Sequence, residues 1–436
     1  MTASSTGRRA SGSPPDEIPG GISTGTPHEF APEAPAARLW NRDFRCFFAA
    51  RTVARFGDGM VPVALAAGLI AAGYGASAVS LALGAWTACF AGFALFGGVL
   101  ADRFSPRRVM IVADLMRMAG AAVLAADFAT GDPHLWLVFT LAALGGVGAA
   151  LFQPGVASTI PAVAQDVQGA NAVIRVSEAL MAMAGPATAG VLVGFGGAGT
   201  LFSVNAGTFA LSALALFLMR MERPRREHSR SMAADLVEGW QEFRAHTWLW
   251  SVIAIWTGFG LLAMGPSLPL TAVVVTGEHS PTVYGVMMAL LGAGDALGAV
   301  LAMRIRPRRP LFAGALALSG FAVHLLALGL DAPLWLLGAS FVSAGTGFGF
   351  WLVMWFTTVQ TRVSAASLNR VHAYDVMGSV TMVAVGQLLA GQAAEVFGAR
   401  EVLLAGAVVT VVVMAALLSV RPVRELRSTG AVNRQV

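Results

Sequence analysis

The fold is decided by the stretch Gly97-Gly98-Val99-Leu100-Ala101-Asp102-Arg103-Phe104-Ser105-Pro106-Arg107-Arg108, which joins two long apolar segments. The first apolar segment ends on small residues, and the second begins directly after Arg108. One acid and three arginines in so short a connection are typical of a tight hairpin at a membrane surface, because charged side chains are kept out of the hydrocarbon core. The stretch therefore predicts two antiparallel membrane-spanning helices.

The composition extends this prediction to the whole chain. Of 436 residues, 56% are hydrophobic and 12% are charged, and the mean hydropathy is +0.68. A soluble chain carries roughly 25% charged residues. Apolar stretches of about 20 residues, long enough to cross a bilayer as helices, recur throughout, and strand-type alternation is absent. We predict an all-α polytopic membrane protein.

The residue types also exclude several functions. All 29 basic residues are arginine, so no lysine is available for a Walker-type phosphate loop or for a Schiff base. Cys46 and Cys89 lie inside apolar segments and lack the spacing of metal ligands. We therefore expect no enzyme activity, no cofactor and no metal site. The arginines lie in alternate loops, which indicates a lipid bilayer rather than nucleic acid as the partner.

Twelve apolar segments occur in two sets of six. They lie near residues 43–72, 77–100, 109–128, 134–160, 168–195, 199–220, 248–275, 282–303, 311–330, 333–361, 367–397 and 400–420. The predicted organisation is a disordered cytoplasmic tail (1–37), an N-terminal six-helix lobe (38–220), a cytoplasmic linker (221–246), a C-terminal six-helix lobe (247–421) and a second cytoplasmic tail (422–436).

The distribution of arginine predicts the orientation. Arginines crowd both tails, the linker, the hairpins at 101–108 and 304–309 and the turn at 362–370, whereas Arg400 alone lies at the opposite turns. Positively charged loops stay on the cytoplasmic side of a membrane. Both termini are therefore predicted to be cytoplasmic, in a bacterial-type inner (plasma) membrane.

The sequence contains an internal repeat. The segment 298–309 matches the segment 97–108 at eight of twelve positions, at an offset of 201 residues. At the same offset, the segment 185–190 aligns with the segment 386–391. Both copies keep the same sidedness of charge, so the repeat is parallel. Parallel repeats are typical of two-lobed transporters whose substrate site lies between the lobes.

These motifs resemble those of the major facilitator superfamily over nearly the whole chain after the tail. Gly98-Val99-Leu100-Ala101-Asp102-Arg103, followed by Arg107 and Arg108, is similar to the family signature between spans two and three, with Ser105 replacing the usual glycine and Pro106 a basic residue. Gly185-Pro186 with Gly190 resembles the antiporter motif that breaks span five, and Ala142 stands where span four often carries an arginine. The stretches Arg55-Phe56-Gly57-Asp58-Gly59 and Phe152-Gln153-Pro154-Gly155 are similar to the enterobactin exporters and macrolide-efflux permeases.

The resemblance implies the major facilitator fold and a transport function. It implies a secondary transporter, which we expect to be monomeric, that exports an apolar or amphipathic small molecule such as a drug, a siderophore or a secondary metabolite. Export would proceed by alternating access and proton antiport. The resemblance also implies that Asp102, Arg103 and Arg107 latch the two lobes together on the cytoplasmic side, in a gating hairpin that includes Gly98 and Arg108. A nutrient importer or facilitator, and a non-transporting membrane sensor, remain alternatives.

Charged residues inside the spans are further candidates, because a charge at the centre of a membrane costs at least about 2.5 kcal/mol. Arg51, Arg55 and Asp58 share one face of span one. Either Arg55 and Asp58 form a structural pair, or Asp58 is a protonatable carboxylate that faces the cavity. Asp58 is the first candidate for proton coupling. Asp295, in the middle of span eight without a basic residue nearby on its own helix, is the second.

The remaining candidates lie on four other spans. Arg175 and Glu178 on span five are predicted to form a structural pair, with a cavity role as the alternative. Asp114 and Arg117 on span three are expected to extend the charge network of the hairpin across the inner face, where Asp375 is a candidate gating group. Trp351 and Trp355, one turn apart on span ten, are candidates for lining an apolar cavity, with packing or lipid contact as the alternative.

Overall fold

The computed structural model describes residues 40–164, 166–220, 246–363 and 375–427, apart from the side chains at 95–103, 157–158, 168 and 376–377. The predicted tail at 1–37, most of the predicted linker and residues 428–436 lie outside this description. The described residues are mainly helical and form no strand. The helices are α1 (Arg42–Ala71), α2 (Ala76–Phe104), α3 (Pro106–Ala129), α4 (Leu135–Val163), α5 (Val167–Leu218), α6 (Thr247–Glu278), α7 (Pro281–Arg304), α8 (Pro310–Gly329), α9 (Leu334–Arg362), α10 (Thr381–Phe397), α11 (Ala399–Ser419) and the short α12 (Arg421–Arg424).

Two of the long helices are irregular. α6 contains a π-helical turn at Gly260–Met264, and α8 is interrupted at Leu318. A second π-helical turn, Val376–Val380, precedes α10. Such turns widen a helix locally and mark places where its backbone bends.

The described residues contain eleven helices that are long and apolar enough to cross a membrane, and α5 supplies two spans. Gly197 interrupts α5 with a φ of 68°. A straight helix would separate Gly185 from Asn205 by about 30 Å. Instead Gly185 packs against Gly59 of α1, and the Asn205 side chain donates to the carbonyl oxygen of Gly57 at 2.8 Å. The chain therefore reverses at Gly197, and the predicted twelve spans are confirmed.

The connection between α2 and α3 is a single residue. α2 ends at Phe104, α3 begins at Pro106, and Ser105 lies between them with a φ of 87°. Proline suits the first turn of a helix, where its missing N–H would have no partner. The tight hairpin is therefore confirmed. The serine that departs from the family signature occupies a backbone conformation that favours glycine.

The two halves of the chain repeat the same packing. A β-carbon at Gly185 would lie 3.1 Å from Cα of Gly59 in α1, and a β-carbon at Gly386 would lie 3.0 Å from the carbonyl oxygen of Gly260 in α6. Each residue of the second pair follows its counterpart in the first by 201 positions. The structure therefore confirms two pseudo-repeated six-helix lobes.

Several close contacts join the halves toward one end of the bundle. A β-carbon at Gly285 would lie 2.5 Å from the carbonyl oxygen of Pro186, and Thr282 donates to the carbonyl oxygen of Gly190 at 2.9 Å. Ser77 donates to Glu395 at 2.5 Å. These residues lie toward the turns near 73, 197, 280 and 398, which form what we call the arginine-poor end. The halves are closely packed at this end.

Candidate functional site

A cluster of charged residues lies inside the first half. Arg117 of α3 pairs with Asp58 of α1 at 2.9 Å and with Asp114 on its own helix. Ser212, in the second arm of α5, donates to the other Asp114 oxygen at 2.5 Å. Asp114 and Arg117 are buried. We call these four residues the Asp58 cluster.

The geometry corrects two predictions. Asp58 pairs with Arg117, so the structural pair between Arg55 and Asp58 is wrong. Asp114 and Arg117 lie deep within the first half instead of extending the hairpin network across the inner face. Both corrections have one cause: α3 packs beside α1 and α5, and its arginine reaches the carboxylate of another helix.

The Asp58 cluster combines a guanidinium stabilised by aromatic rings with one excess negative charge. The guanidinium of Arg117 lies over the rings of Phe209 and Phe152, at 4.4 and 5.0 Å from their centroids. These rings stabilise the cation by a cation–π interaction. Two carboxylates and one guanidinium leave one formal negative charge in excess. The cluster can therefore accept one proton and become neutral, with Arg117 still paired.

A second cluster lies on the same face of α1. Arg51 pairs with Glu178 at 2.6 Å and donates to the side-chain oxygen of Gln153 at 3.1 Å. Arg175 pairs with the other oxygen of Glu178 at 3.3 Å. The predicted pair between Arg175 and Glu178 is confirmed, and Arg51 is an additional partner that joins α1 to α5. Each acid or base in this cluster has a partner, which is typical of structural charges in a membrane.

A small cavity adjoins the Asp58 cluster. Its lining includes Asp58, Arg117, Asn205 and Trp86, and the remaining residues are mostly apolar. It offers about 30 Å³ to the centres of water molecules. One water needs roughly 10–15 Å³ by this measure, whereas ligand pockets enclose about 300–1,000 Å³. The cavity therefore suits water better than it suits a drug-sized substrate.

Asp295 and Arg55 differ from the other charged residues at this depth. Asp295 of α7 is exposed and lies against α9, where Gly349 leaves room for its carboxylate. Arg55 is half-buried on α1. Neither has an ion-pair or hydrogen-bond partner among the described residues, yet they are close enough for their charges to interact.

The predicted gating hairpin is described only in part. The described side chains do not include those of residues 95–103, and so exclude Gly98, Asp102 and Arg103. The latch therefore stays a prediction for these residues. Arg107 donates to the carbonyl oxygens of Leu216 and Phe217 at 2.8 and 2.6 Å. These are among the last carbonyls of α5, which lack partners within their own helix and attract a cation. In this structure Arg107 thus ties together parts of the first half, and its role in joining the lobes stays a prediction; Arg108 is exposed.

The tryptophans predicted to line a cavity are core residues. Trp351 and Trp355 are 1% and 4% exposed. Trp351 stacks on Trp256 with centroids 5.3 Å apart, and the indole nitrogen of Trp355 donates to Asp375 at 3.1 Å. Packing is therefore the correct alternative, because α6 and α9 bury these large rings against each other. Asp375 bonds within the second half, apart from Asp114 and Arg117. Its predicted gating role is not tested by these contacts.

The helix-break motif has two separate contacts. Gly185 packs on α1 within the first half, whereas Gly190 and Pro186 pack against Gly285 in the second half. Four residues at these contacts were not predicted as site residues: Ser212, Gln153, Trp86 and Gly285, which opposes this motif. All four are brought to their partners by packing between helices, and none is marked by spacing along its own helix.

The sequence matches the family model described as Major Facilitator Superfamily over residues 47–380. Among curated proteins, it is 27% identical to the enterobactin exporter EntS of Citrobacter koseri over 366 residues, which cover 80% of this chain and 84% of that protein. It is 26% identical to the multidrug efflux pump Tap of Mycolicibacterium fortuitum over 332 residues, or 71% of this chain and 79% of the pump. An MFS-type transporter of Bacillus subtilis, YvqJ, is 24% identical and matches over 86% of this chain and 91% of its own length.

Solved structures share the fold at low sequence identity. A bacterial homolog of the human lysosomal transporter Spinster, in an inward-facing and unoccupied conformation, has a TM-score of 0.69 and 15% identity, and the match covers 88% of this chain and 98% of that one. The nucleoside transporter NupG also has a TM-score of 0.69, with 14% identity over 86% of this chain and 98% of its own.

Proposed function

Because the chain belongs to the Major Facilitator Superfamily and is therefore a membrane transporter, we propose that it exports an apolar or amphipathic small molecule from the cytoplasm in exchange for protons. The proposed coupling group is Asp58. The Asp58 cluster carries this proposal, because a set of paired charges at mid-depth needs a reason to exist in a membrane.

The second half supplies an internal comparison for the Asp58 cluster. At the offset of 201 residues, Asp58, Asp114, Arg117 and Ser212 correspond to Phe259, Ala315, Leu318 and Val413, all of which are buried. The same six-helix scaffold thus packs with apolar residues at these positions. Apolar replacement of a buried ion pair is often neutral or stabilising. The first half therefore does not need its charges for folding, which supports a functional role.

Two properties favour Asp58 over Asp114 as the proton site. Asp114 is fully buried and is held by Arg117 and Ser212. Asp58 has one partner, Arg117, and faces the water-sized cavity. Protonation of Asp58 would weaken its bond to Arg117 and so loosen α1 from α3. That change would link proton binding to the rocking of the lobes.

Loop charge and lobe packing support the direction of transport. If the arginine-rich loops are cytoplasmic, the arginine-poor end faces the outside of the cell, and the lobes are packed together there. A carrier in this state would load substrate from the cytoplasm. Two relatives, named as an enterobactin exporter and a multidrug efflux pump, agree with export.

The experiment measures accumulation of a broad compound panel in cells that lack other pumps, with and without a proton gradient. Asp58→Asn should abolish gradient-driven efflux and leave the protein folded in the membrane, since Arg117 and Asp114 would remain as a neutral pair. Asp132→Asn, at an exposed turn, serves as the control and should transport normally. Unchanged efflux by Asp58→Asn would refute the role of Asp58. Gradient-driven uptake would support an importer, and no effect of any compound would support a sensor.

A further inference from the structure

Eight charged residues of α1, α3, α5 and α7 lie at least eight residues from either end of their helix, and six of them are paired with one another. The Asp58 cluster uses Asp58, Asp114 and Arg117, and the second cluster uses Arg51, Arg175 and Glu178. The two that are left are Arg55 and Asp295. They carry opposite charges and belong to opposite halves of the chain.

Packing places Arg55 and Asp295 at one level of the bundle. On α1, Gly59 packs against Met181 of α5. On α7, Gly292 packs against the neighbouring Ala182. Arg55 precedes Gly59 by four residues, and Asp295 follows Gly292 by three. Since α1 and α7 run in opposite directions, both side chains lie about one turn from this meeting point, on the side away from the arginine-poor end.

The two charges interact without forming an ion pair. The charge of Arg55 acts favourably on that of Asp295, but no nitrogen of Arg55 lies within 4 Å of the Asp295 carboxylate, because no such pair occurs among the described residues. The charged neighbours of Arg55 on its own helix, Arg51 and Asp58, are each bonded elsewhere. Arg55 and Asp295 are thus left at one level of the bundle without an ion-pair or hydrogen-bond partner among the described residues.

We propose that Arg55 and Asp295 are the two poles of a binding site for a zwitterionic head group carried by an amphipathic substrate. This inference rests on the export function proposed above and defines the class of compound exported. The guanidinium of Arg55 would hold an anionic group, and the carboxylate of Asp295 would hold an ammonium group. A ligand that touches both poles also bridges the two lobes, so its binding would favour closure around it.

The site selects against singly charged compounds. A cation bound to Asp295 would leave Arg55 unpaired and would be repelled by it, and an anion bound to Arg55 would meet the same difficulty at Asp295. A zwitterion satisfies both charges at once. Loss of one charged hydrogen bond lowers affinity by about tenfold to about a hundredfold.

Three fluorescent probes with the same dansyl body and different charges test this inference. Nε-dansyl-lysine is a zwitterion, dansylcadaverine is a cation and 6-(dansylamino)hexanoic acid is an anion. Binding to the purified full-length protein in lipid nanodiscs is measured by dansyl fluorescence. We expect the zwitterion to bind at least about tenfold more tightly than either of the others.

The variants assign each pole. Arg55→Gln should remove the preference for the zwitterion over the cation, and Asp295→Asn should remove its preference over the anion. Arg55→Lys and Asp295→Glu keep the charges and should keep most of both preferences. Asp132→Asn and Arg424→Gln, at surface positions, should change nothing. Thermal unfolding of each variant confirms that it is folded.

Three outcomes would overturn the proposal. In the first, the wild-type protein binds the three probes equally, and in the second it fails to bind the zwitterion at millimolar concentration. In the third, Arg55→Gln and Asp295→Asn change all three affinities by the same factor, as expected of two residues that serve only each other. Gradient-driven efflux with equal binding of the probes would keep the export function and reject this site. Selective binding of the zwitterion without efflux would keep this site and reject the export function.

Discussion

Replacing Gly285 by alanine is expected to open the arginine-poor end of the protein. Gly285 of α7 faces the helix-break motif of α5 across the boundary between the halves. The new β-carbon would lie 2.5 Å from the carbonyl oxygen of Pro186 and 2.8 Å from Cα of Gly190. Both obstacles are backbone atoms, so no side-chain rotation can relieve the contact. The helices must move apart by roughly 1 Å to reach an ordinary van der Waals distance.

The magnitude follows from the cost of overpacking. Extra methyl groups in a well-packed site cost about 1–3 kcal/mol. Here the cost applies only while the halves touch, and it disappears when they separate. Since about 1.4 kcal/mol corresponds to a factor of ten, the ratio of closed to open protein should fall by about fivefold to about a hundredfold.

Spin-label distances measure this ratio directly. In a background of Cys46→Ser and Cys89→Ser, labels at Asp132→Cys and His279→Cys place one probe at an exposed turn of each half, at the arginine-poor end. Gly285→Ala should shift the distance distribution in nanodiscs toward longer values. An unchanged distribution in a folded variant would refute the assignment of this contact as the closing surface.

Two glycines provide matched controls for Gly285→Ala. Gly277→Ala, in α6 of the same half, places its methyl group in open space and should leave the distances unchanged. Gly298→Ala, also in α7, would place its β-carbon against the carbonyl oxygen of Thr346 within the same half. It should lower the melting temperature without shifting the distances. Together the controls separate a conformational shift from a loss of stability.

Two further predictions concern the connections between helices. Ser105→Gly should raise the free energy of unfolding in detergent by about 1 kcal/mol, since the positive φ of Ser105 is strained. The control Ser203→Gly, within α5, should lower the free energy of unfolding. A loss of stability in Ser105→Gly would contradict the strain at Ser105. His134 donates from Nδ1 to the Asp127 carboxylate at 2.8 Å, and this bond raises the pKa of His134. Its stabilising effect should therefore be complete below about pH 6.5 and be lost as the pH rises through the raised value. His134→Gln should flatten this part of the melting-temperature profile against pH, and an identical profile would exclude the bond as its source.

The number and type of the helices could be predicted from the sequence, because hydropathy and loop charge act locally along the chain. For the same reason, the turn at Ser105 lies within the predicted hairpin at 101–108, and the reversal at Gly197 lies between the predicted spans 168–195 and 199–220. The repeat at an offset of 201 residues also predicted that two halves would pack alike. These features need no knowledge of which helix meets which.

The partners of the charged residues could not be predicted in the same way. Arg55 and Asp58 are one turn apart and looked like a pair, but Asp58 bonds to Arg117 on another helix. Arg175 and Glu178 did form the local pair, yet Glu178 also holds Arg51. Spacing along one helix gives the face of a residue, whereas the bond depends on the rotation and depth of the neighbouring helix. The same limit left open whether Trp351 lines a cavity or packs in the core.

The duplication contains a signal that spacing lacks. Each of the eight mid-depth charges has an uncharged residue at the equivalent position in the other half: Val252, Trp256, Phe259, Ala315, Leu318, Val376 and Ser379 for those in the first half, and Ala94 for Asp295. Comparison of the halves therefore separates residues that the scaffold requires from those that one half has added. Seven of the eight charges belong to the first half, so this half carries the proposed proton site and one pole of the proposed substrate site. Asp295 is the exception, and a lone acid there is useful only to a group on the opposite half or to a ligand held between them.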